Sequence, residues 1–376
     1  MSAPTEPGSA PEEGPPAFRV IQHSRPALGA AELSALQEVV TSGMIAQGPR
    51  VQELERGVAE FLHAEVGSTR AGVAVSSGTA ALYVALRALG IGAGDEVLVP
   101  AFVCASVLQA VRTTGATPRF VDCDPETFNI DDADARRKVS ERTAAVIVAH
   151  LFGLPADIEP FMKLGPPVIE DCAQTLGAQY QGRPIGTFGE ISICSFYATK
   201  LLAAGEGGMV LSSDADLLDR VRRLRDCDAP ESGDWAFNFK MSELHAAVGL
   251  AQLGRFPELL ARRQELAQRY RAAFGGLPVK LPARPSDREH QYFRFVVSLE
   301  DASLEHVLER SEELGLACRR PVGYLPDLVR AELDDLPGCR QAWRTACSVP
   351  LYPALTDDEA EQVVSRFVTA LGSVDV

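Results

Sequence analysis

The 376-residue sequence predicts an α/β protein, a large and mainly parallel β-sheet flanked by helices and followed by a smaller C-terminal α+β domain. Three observations predict it. Short apolar runs alternate with helical patterns from Gly72 to Ile169, as parallel strands joined by crossover helices do. The residues with chemical potential fall just beyond those runs, at the carboxyl ends where such sheets bind ligands. Past Pro282 the texture changes to a strand over Tyr292 to Leu299, a helix over Ser303 to Leu314, a strand-like Cys347-Ser-Val-Pro-Leu run and a last helix over Thr356 to Leu371.

Met1 to Pro16 is rich in Pro, Gly, Glu and small residues, with neither the basic cluster nor the apolar core of a signal peptide, and residues 1–17 are expected to be a disordered tail. Leu28 to Phe61 carries apolar residues at helical spacing on both sides of Ser42-Gly-Met-Ile-Ala-Gln-Gly-Pro49, which predicts two helices and a loop. Gly72 to Ser77 is a strand leading directly into Gly78-Thr-Ala-Ala-Leu82 and a helix to Leu89. Such a junction aims free N–H groups and the positive helix end at an anion, a phosphate cup. It also serves as a plain strand-to-helix turn, because it matches neither the P-loop nor the dinucleotide fingerprint. Further strands are expected up to Pro100 and over Pro118 to Val121, Ala144 to Ala149 and Pro167 to Ile169. Their ends present Ser77, Gly78, Pro100 to Cys104, His150 and Asp171.

Ile191-Ser-Ile-Cys-Ser-Phe-Tyr-Ala-Thr-Lys200 begins as a strand and ends at a lysine followed by the small residues of Ala203 to Gly208. A lysine desolvated beside a bound carbonyl closes a Schiff base, and Lys200 is the candidate for that role with pyridoxal phosphate; taken alone the stretch favours a solvated loop lysine, and the companion residues elsewhere in the chain reverse that preference. Val168-Ile-Glu-Asp171-Cys-Ala-Gln174 runs an apolar strand into two carboxylates. A charge at that rim needs a cationic partner. If the partner is a pyridinium nitrogen, Asp171 preserves the ring as an electron sink; otherwise it caps a helix or pairs with an arginine. Gln174 is placed to donate to a phenolic oxygen of the same ring. Asp216 to Asp226 predicts a solvated Arg-rich helix, and Asn238 to about Phe274 a long interrupted helical stretch with Ser242 as a cap. The large domain is expected over residues 18–255 and the small one over 256–376.

Lys plus Arg is 36 against 51 Asp plus Glu, a net charge of −15, which argues against a general nucleic-acid binder. The eight cysteines form no C-x-x-C pair and the six histidines no H-x-x-x-H pair, so buried thiols are expected and no metal site is readable. No apolar run is long enough to span a bilayer, and the expected location is cytoplasmic.

With these stretches in view, the sequence resembles the DegT/DnrJ/EryC1/StrS sugar aminotransferases, fold-type I enzymes dependent on pyridoxal phosphate, from about Ile21 to Leu371. The resemblance is carried by Ser42 to Pro49, Ser76-Ser-Gly-Thr-Ala-Ala81, Gly94 to Phe102, His150-Leu-Phe-Gly153, Glu170-Asp-Cys-Ala-Gln174, Ser195 to Lys200, Gly205-Glu-Gly-Gly208, Asn238 to Glu243 and Val349 to Leu355. It implies a seven-stranded sheet, Lys200 as the lysine that bonds the coenzyme and shuttles a proton, Asp171 as partner of the pyridine nitrogen, and Gln174 near the phenolic oxygen. Gly78, Thr79 and Ser195 would hold the phosphate, Cys104 would face the ring, and Asn238 would reach the neighbouring subunit's coenzyme, making the enzyme a homodimer with shared active sites. The implied reaction moves an amino group from glutamate or glutamine to a keto group of a nucleotide-linked sugar or cyclitol by a ping-pong mechanism. Another reaction of the same coenzyme, such as elimination or dehydration, and a non-catalytic regulator are the alternatives; retention of Lys200 speaks against the family's dehydratases. The chain departs from the family where Val103-Cys104 stands for an aromatic residue, where Phe239-Lys240 replaces Tyr-Arg, and around Arg319 to Tyr324.

Overall fold

The computed structural model describes residues 20–63, 70–228 and 236–372, so the tail expected over 1–17 lies outside the described residues. Helices α1 (Ala30–Ser42) and α2 (Pro49–His63) precede the sheet. The alternation then runs β1 (Ala71–Val75), α3 (Gly78–Ala88), β2 (Glu96–Pro100), α4 (Ala105–Thr113), β3 (Thr117–Val121), α5 (Asp132–Lys138), β4 (Thr143–Ala149), α6 (Glu159–Met162) and β5 (Val168–Asp171). A short hairpin, β6 (Gln179–Tyr180) and β7 (Arg183–Pro184), leads to β8 (Ile191–Ser195), β9 (Gly208–Ser212) and α7 (Ala215–Arg225).

The seven-stranded sheet has the order β1-β9-β8-β5-β4-β2-β3. Strand β9 is antiparallel to both of its neighbours, and β8, β5, β4, β2 and β3 run parallel. Helices cover both faces, so strands such as β2 and β9 are buried at every position and read as unbroken apolar runs. The two-residue period still sorts side chains: Val73, Val75, Val97, Val99 and Ile147 pack toward α3, α4 and α7, whereas Ala74, Leu98, Val146 and Val148 pack toward α2, α5 and α6.

The long helical stretch expected from Asn238 is two helices, α8 (Glu243–Gly254) and α9 (Phe256–Phe274). It starts late because Phe239 is held extended, its N–H donating to Arg225 O and its carbonyl accepting from Ser76, and Ser242 then caps α8. It breaks at Arg255, where Pro257 opens α9. Beyond it lie β10 (Val279–Lys280), β11 (Phe295–Leu299), α10 (Leu304–Glu313), α11 (Asp327–Ala331), α12 (Pro337–Thr345), β12 (Ala346–Val349) and α13 (Asp357–Gly372). The antiparallel β10-β11-β12 sheet packs with the second half of α9 and with α13 around Tyr270, Phe274, Phe295 and Phe367. Thr356 and Glu359 form a capping box at the start of α13. The strand expected from Tyr292 begins only at Phe295, because the backbone before it bonds to the turn after β4: Gln291 N donates to Gly153 O and Arg294 N to Phe152 O. No helix among the described residues is long and apolar enough to cross a membrane.

The segment with α11 and α12 bridges the two sheets: Val322, Leu325, Val329, Leu336, Cys339 and Ala342 join the cluster around α3 and α4, which also takes in Val296 of β11 and Ala346 of β12. One carboxylate locks it there. Asp122, buried just after β3, accepts hydrogen bonds from the N–H groups of Gly338 (2.8 Å) and Cys339 (2.7 Å) in the first turn of α12 and from Cys123 (2.9 Å). A negative charge at that helix start satisfies donors otherwise orphaned. The approach requires glycine, since a Cβ at Gly338 would collide with the Cys123 carbonyl. Asp122→Ala should therefore destabilise the protein by about 1–3 kcal/mol in urea unfolding, and Gly338→Ala should lower the midpoint as well. Midpoints equal to wild type for both variants would show that this contact does not hold α12 in place.

Candidate active site

The carboxyl ends of β1, β2, β4, β5 and β8 converge on a cavity of about 250 Å³. Ser77, Gly78, Thr79, Cys104, His150, Asp171, Gln174, Ser195 and Lys200 all line it, so nine positions singled out in the sequence meet in space. Seven of the eight site residues expected from the sequence are among them; Asn238 is not.

At one end of the cavity stands the start of α3. Ser77 caps the helix, its hydroxyl accepting from Ala80 N at 3.0 Å, which leaves the N–H groups of Gly78 and Thr79 without an intrachain partner among the described residues. Ser195 at the end of β8 packs against this turn so closely that a Cβ on Gly78 would lie 2.7 Å from the Ser195 Cβ. The result is a cup of two N–H groups and a hydroxyl under a positive helix end, suited to a phosphate.

At the other end the neighbouring carboxylates of β5 point to opposite faces and meet different fates. Glu170, fully buried, accepts from the N–H groups of Gly186 (2.8 Å), Phe188 (2.7 Å) and Gly189 (2.7 Å). Burial pushes its carboxyl up, but His150, Arg70 and these donors together hold it below its ordinary value. His150 accepts from Ala156 N at Nδ1 (3.0 Å), which leaves the proton on Nε2, 3.5 Å from Glu170 Oε2. Asp171 is also buried, yet one oxygen accepts only from Ala173 N (3.0 Å) and the other has no hydrogen bond among the described residues. Burial pushes the Asp171 carboxyl above its ordinary value, against the Ala173 donor and the charges of Lys200 and His150. The carboxylate is thus poised for a cationic N–H entering the cavity.

Lys200 is half-buried, and its Nζ has no hydrogen bond among the described residues and lies 5.1 Å from the centre of the Phe293 ring. Burial pushes its amine below the ordinary lysine value; Cys104 and Asp171 oppose the shift and Arg294 adds to it. An amine so displaced is a better nucleophile near neutral pH. Gln174 fixes its amide by accepting from Phe152 N at 2.8 Å, leaving its NH₂ as a donor. Cys104, exposed at the start of α4, has its sulfur 2.8 Å from Ser106 Oγ. Around it the lining is aliphatic, with Leu82, Val103, Val107 and Leu151, and Tyr197 is the one phenyl-type ring among the described lining residues.

Asn238 is exposed, its amide oxygen 3.4 Å from Lys240 N, on a segment pinned beside Ser76 at the edge of the cup. Lys240 is engaged within its own chain, 2.7 Å from Asp226 and 3.7 Å from Asp228. Phe293 and Arg294 escaped the sequence reading because they sit in an apolar strand-like run more than ninety residues past Lys200, with no motif around them.

The residues present fit pyridoxal phosphate: a carboxylate oxygen and an amine that have no hydrogen-bond partner among the described residues, for the ring nitrogen and the aldehyde, and an anion cup for the phosphate, on a largely parallel α/β sheet. Fold and site together define a pyridoxal phosphate-dependent aminotransferase. The chain belongs to the DegT/DnrJ/EryC1/StrS aminotransferase family, whose sequence profile matches residues 26–368. It is 32% identical to the spore coat polysaccharide biosynthesis protein SpsC of Bacillus subtilis, over 92% of this chain and 95% of that protein. Among solved structures it is similar to the sugar aminotransferase CalS13 of Micromonospora echinospora (30% identity, TM-score 0.82, 93% of this chain and 99% of the other). It is also similar to the PLP form of Spr1654 from Streptococcus pneumoniae (26% identity, TM-score 0.88, 95% and 100%).

The electrostatics give a signed expectation. In coenzyme-free protein, Lys200 should titrate below 10.5, and Asp171→Asn, which removes a charge favouring the ammonium form, should lower its midpoint further. Reductive methylation followed across pH by peptide mass measures both; a wild-type midpoint at or above 10.5, or a rise in the variant, would contradict this electrostatic picture.

Proposed function

We propose that this aminotransferase moves an amino group from glutamate or glutamine to a keto group of a nucleotide-linked sugar or cyclitol, by a ping-pong mechanism, in the cytoplasm. The observation that carries the reading is the pairing, in one cavity, of a Lys200 amine and an Asp171 oxygen that have no hydrogen-bond partner among the described residues. A sugar substrate is supported by the family and by relatives named for polysaccharide biosynthesis and as a sugar aminotransferase. The product would serve antibiotic, cell-surface or other secondary-metabolite biosynthesis.

Bound pyridoxal phosphate supplies an aldehyde that accepts the donor's amine and a ring that takes up the electrons released from its Cα–H bond. The Gly78 and Thr79 N–H groups and the Ser195 hydroxyl would hold the phosphate. Asp171 would accept the pyridine N–H and keep that nitrogen protonated, while the Gln174 NH₂ would donate to the phenolic oxygen. Lys200 at Nζ would take the proton from the donor's Cα and hand it on along the same face of the bound coenzyme, reversing the transfer when the ketone is aminated. Cys104 would flank the ring and offer it a sulfur rather than a π face. Asn238, exposed beside the cup, completes the neighbouring subunit's site in a homodimer.

Lys200→Ala should abolish the donor half-reaction, followed through the absorbance of bound coenzyme, and Asp171→Asn should slow it by about 10²–10⁴-fold. Full turnover in Lys200→Ala would end the proposal. Shared sites are tested by mixing inactive Lys200→Ala with Asn238→Ala: each mixed dimer holds one intact site, so activity should reappear. Absence of recovery with exchange of subunits demonstrated would refute the role of Asn238 across the interface.

A further inference from the structure

Two carboxylates and one amine line the cavity among the described residues: Asp171, Glu206 and Lys200. Transamination there occupies Asp171 and Lys200 and leaves Glu206 without a task. Glu206 is exposed, and its carboxylate has neither a hydrogen bond nor an ion pair among the described residues. Tyr197 lines the cavity beside it, 47% exposed, and its hydroxyl too is without a hydrogen bond among the described residues.

The backbone fixes Glu206 from both sides. Gly205 and Gly207 have φ of 89° and 147°, a conformation that other residues adopt only at a cost. Gly205 O accepts from Ala198 N and Gly207 O from Phe196 N, each at 2.9 Å, and Tyr197 pairs with Gly205, so the loop is tied to the turn that carries Lys200. On its other side the loop abuts the phosphate cup, where a Cβ on Gly208 would lie 2.4 Å from Ser77 O. Glu206 is therefore held at a set place between the cup and the lysine, on a frame determined by packing and backbone hydrogen bonds.

A carboxylate at that place selects its ligand by chemistry. It accepts hydrogen bonds, donates none and repels other anions, which disfavours the carboxylates of an amino-acid donor. An amino group held by Glu206 would have to leave it in order to react at Lys200, whereas a hydroxyl stays bound through the reaction. Two neighbouring hydroxyls match the two oxygens of one carboxylate in charge-assisted hydrogen bonds. The exposed Tyr197 ring offers its apolar face to the C–H side of a saturated ring.

We propose that Glu206, with Tyr197 beside it, reads the hydroxyls of the acceptor. Its carboxylate accepts from two neighbouring hydroxyls on the ring that bears the keto group, and its charge excludes acceptors whose ring carries a carboxylate. The assignment rests on the transamination reading above and narrows its substrate class to rings that are themselves uncharged and bear a diol.

The test uses coenzyme-loaded wild type, Glu206→Gln and Glu206→Ala. Nucleoside diphosphate amino hexoses, their uronate counterparts and aminocyclitols are offered as amines, so that coenzyme absorbance reports the acceptor half-reaction in reverse, while L-glutamate and L-glutamine report the donor half-reaction. With the best amino hexose or aminocyclitol, Glu206→Gln and Glu206→Ala should raise the half-saturating concentration about 10–100-fold and leave that of the amino-acid donor within about twofold. Removing one ring hydroxyl from that probe should cost wild type at least about tenfold and the variants no more than about threefold, a coupling that a merely structural role does not give. In wild type alone, each amino hexose that reacts should do so at concentrations at least about tenfold below those its uronate needs, and this arm stands even if neither variant folds. An unchanged response of folded Glu206→Gln to the sugar amine, a uronate as effective as its hexose, or a donor step slowed as much as the sugar step overturns the assignment and leaves transamination intact. A response to amino acids with none to any amino hexose or aminocyclitol overturns it together with the sugar reading. No donor response in wild type overturns transamination itself.

Discussion

A carboxylate buried at the floor of a crevice with one oxygen left unbonded is the constraint from which the rest of this structure follows. Asp171 and Glu170 are adjacent on β5 and both buried, yet Glu170 is satisfied by three backbone donors and a histidine while Asp171 accepts from one. The strand's alternation explains the contrast: one side chain turns into the packed face and the other into the cavity. A free oxygen in that setting is costly unless a cation arrives, and Lys200 supplies only part of the compensation. The fold keeps the position because the parallel strands, rigid and covered on both faces, hold Asp171, Lys200 and the α3 cup at fixed separations.

The peripheral architecture maintains those separations. Asp122 fastens α12 to the end of β3, and the apolar residues from Val322 to Ala342 wedge the C-terminal segment against α3 and α4. The turn after β4 bonds to residues 291–294, which brings Phe293 and Arg294 from the C-terminal half to the Lys200 side of the crevice. Lys240 and Cys104 are both engaged within the chain. Lys240 spends its charge on Asp226 within its own chain, and Cys104 bonds to Ser106 beside an aliphatic lining.

Much of this was legible because it is local. Strand ends, glycine turns and the lysine after β8 are written in short contiguous patterns, and the cup, Asp171, Gln174 and Lys200 meet as those patterns imply. What was not legible is long-range. The five residues of β9 are an apolar run whose antiparallel direction depends on the loop that precedes it. The break at Arg255 was masked by helical spacing that continues across it. Arg294 lies in an apolar run with no motif, and only the docking of that run on Phe152 and Gly153 makes it a neighbour of Lys200. Asn238 was named from resemblance, and in a single chain it faces outward.

The central claim is that one lysine bonds the coenzyme while Asp171 steadies the opposite edge of its ring. Borohydride reduction of the coenzyme-loaded protein, followed by peptide mass mapping, tests it most directly. The account predicts a stable coenzyme adduct on Lys200 alone, formed in markedly lower yield when Asp171 is replaced by alanine at limiting coenzyme. An adduct on a different lysine, or none in a folded and loaded protein, would contradict it.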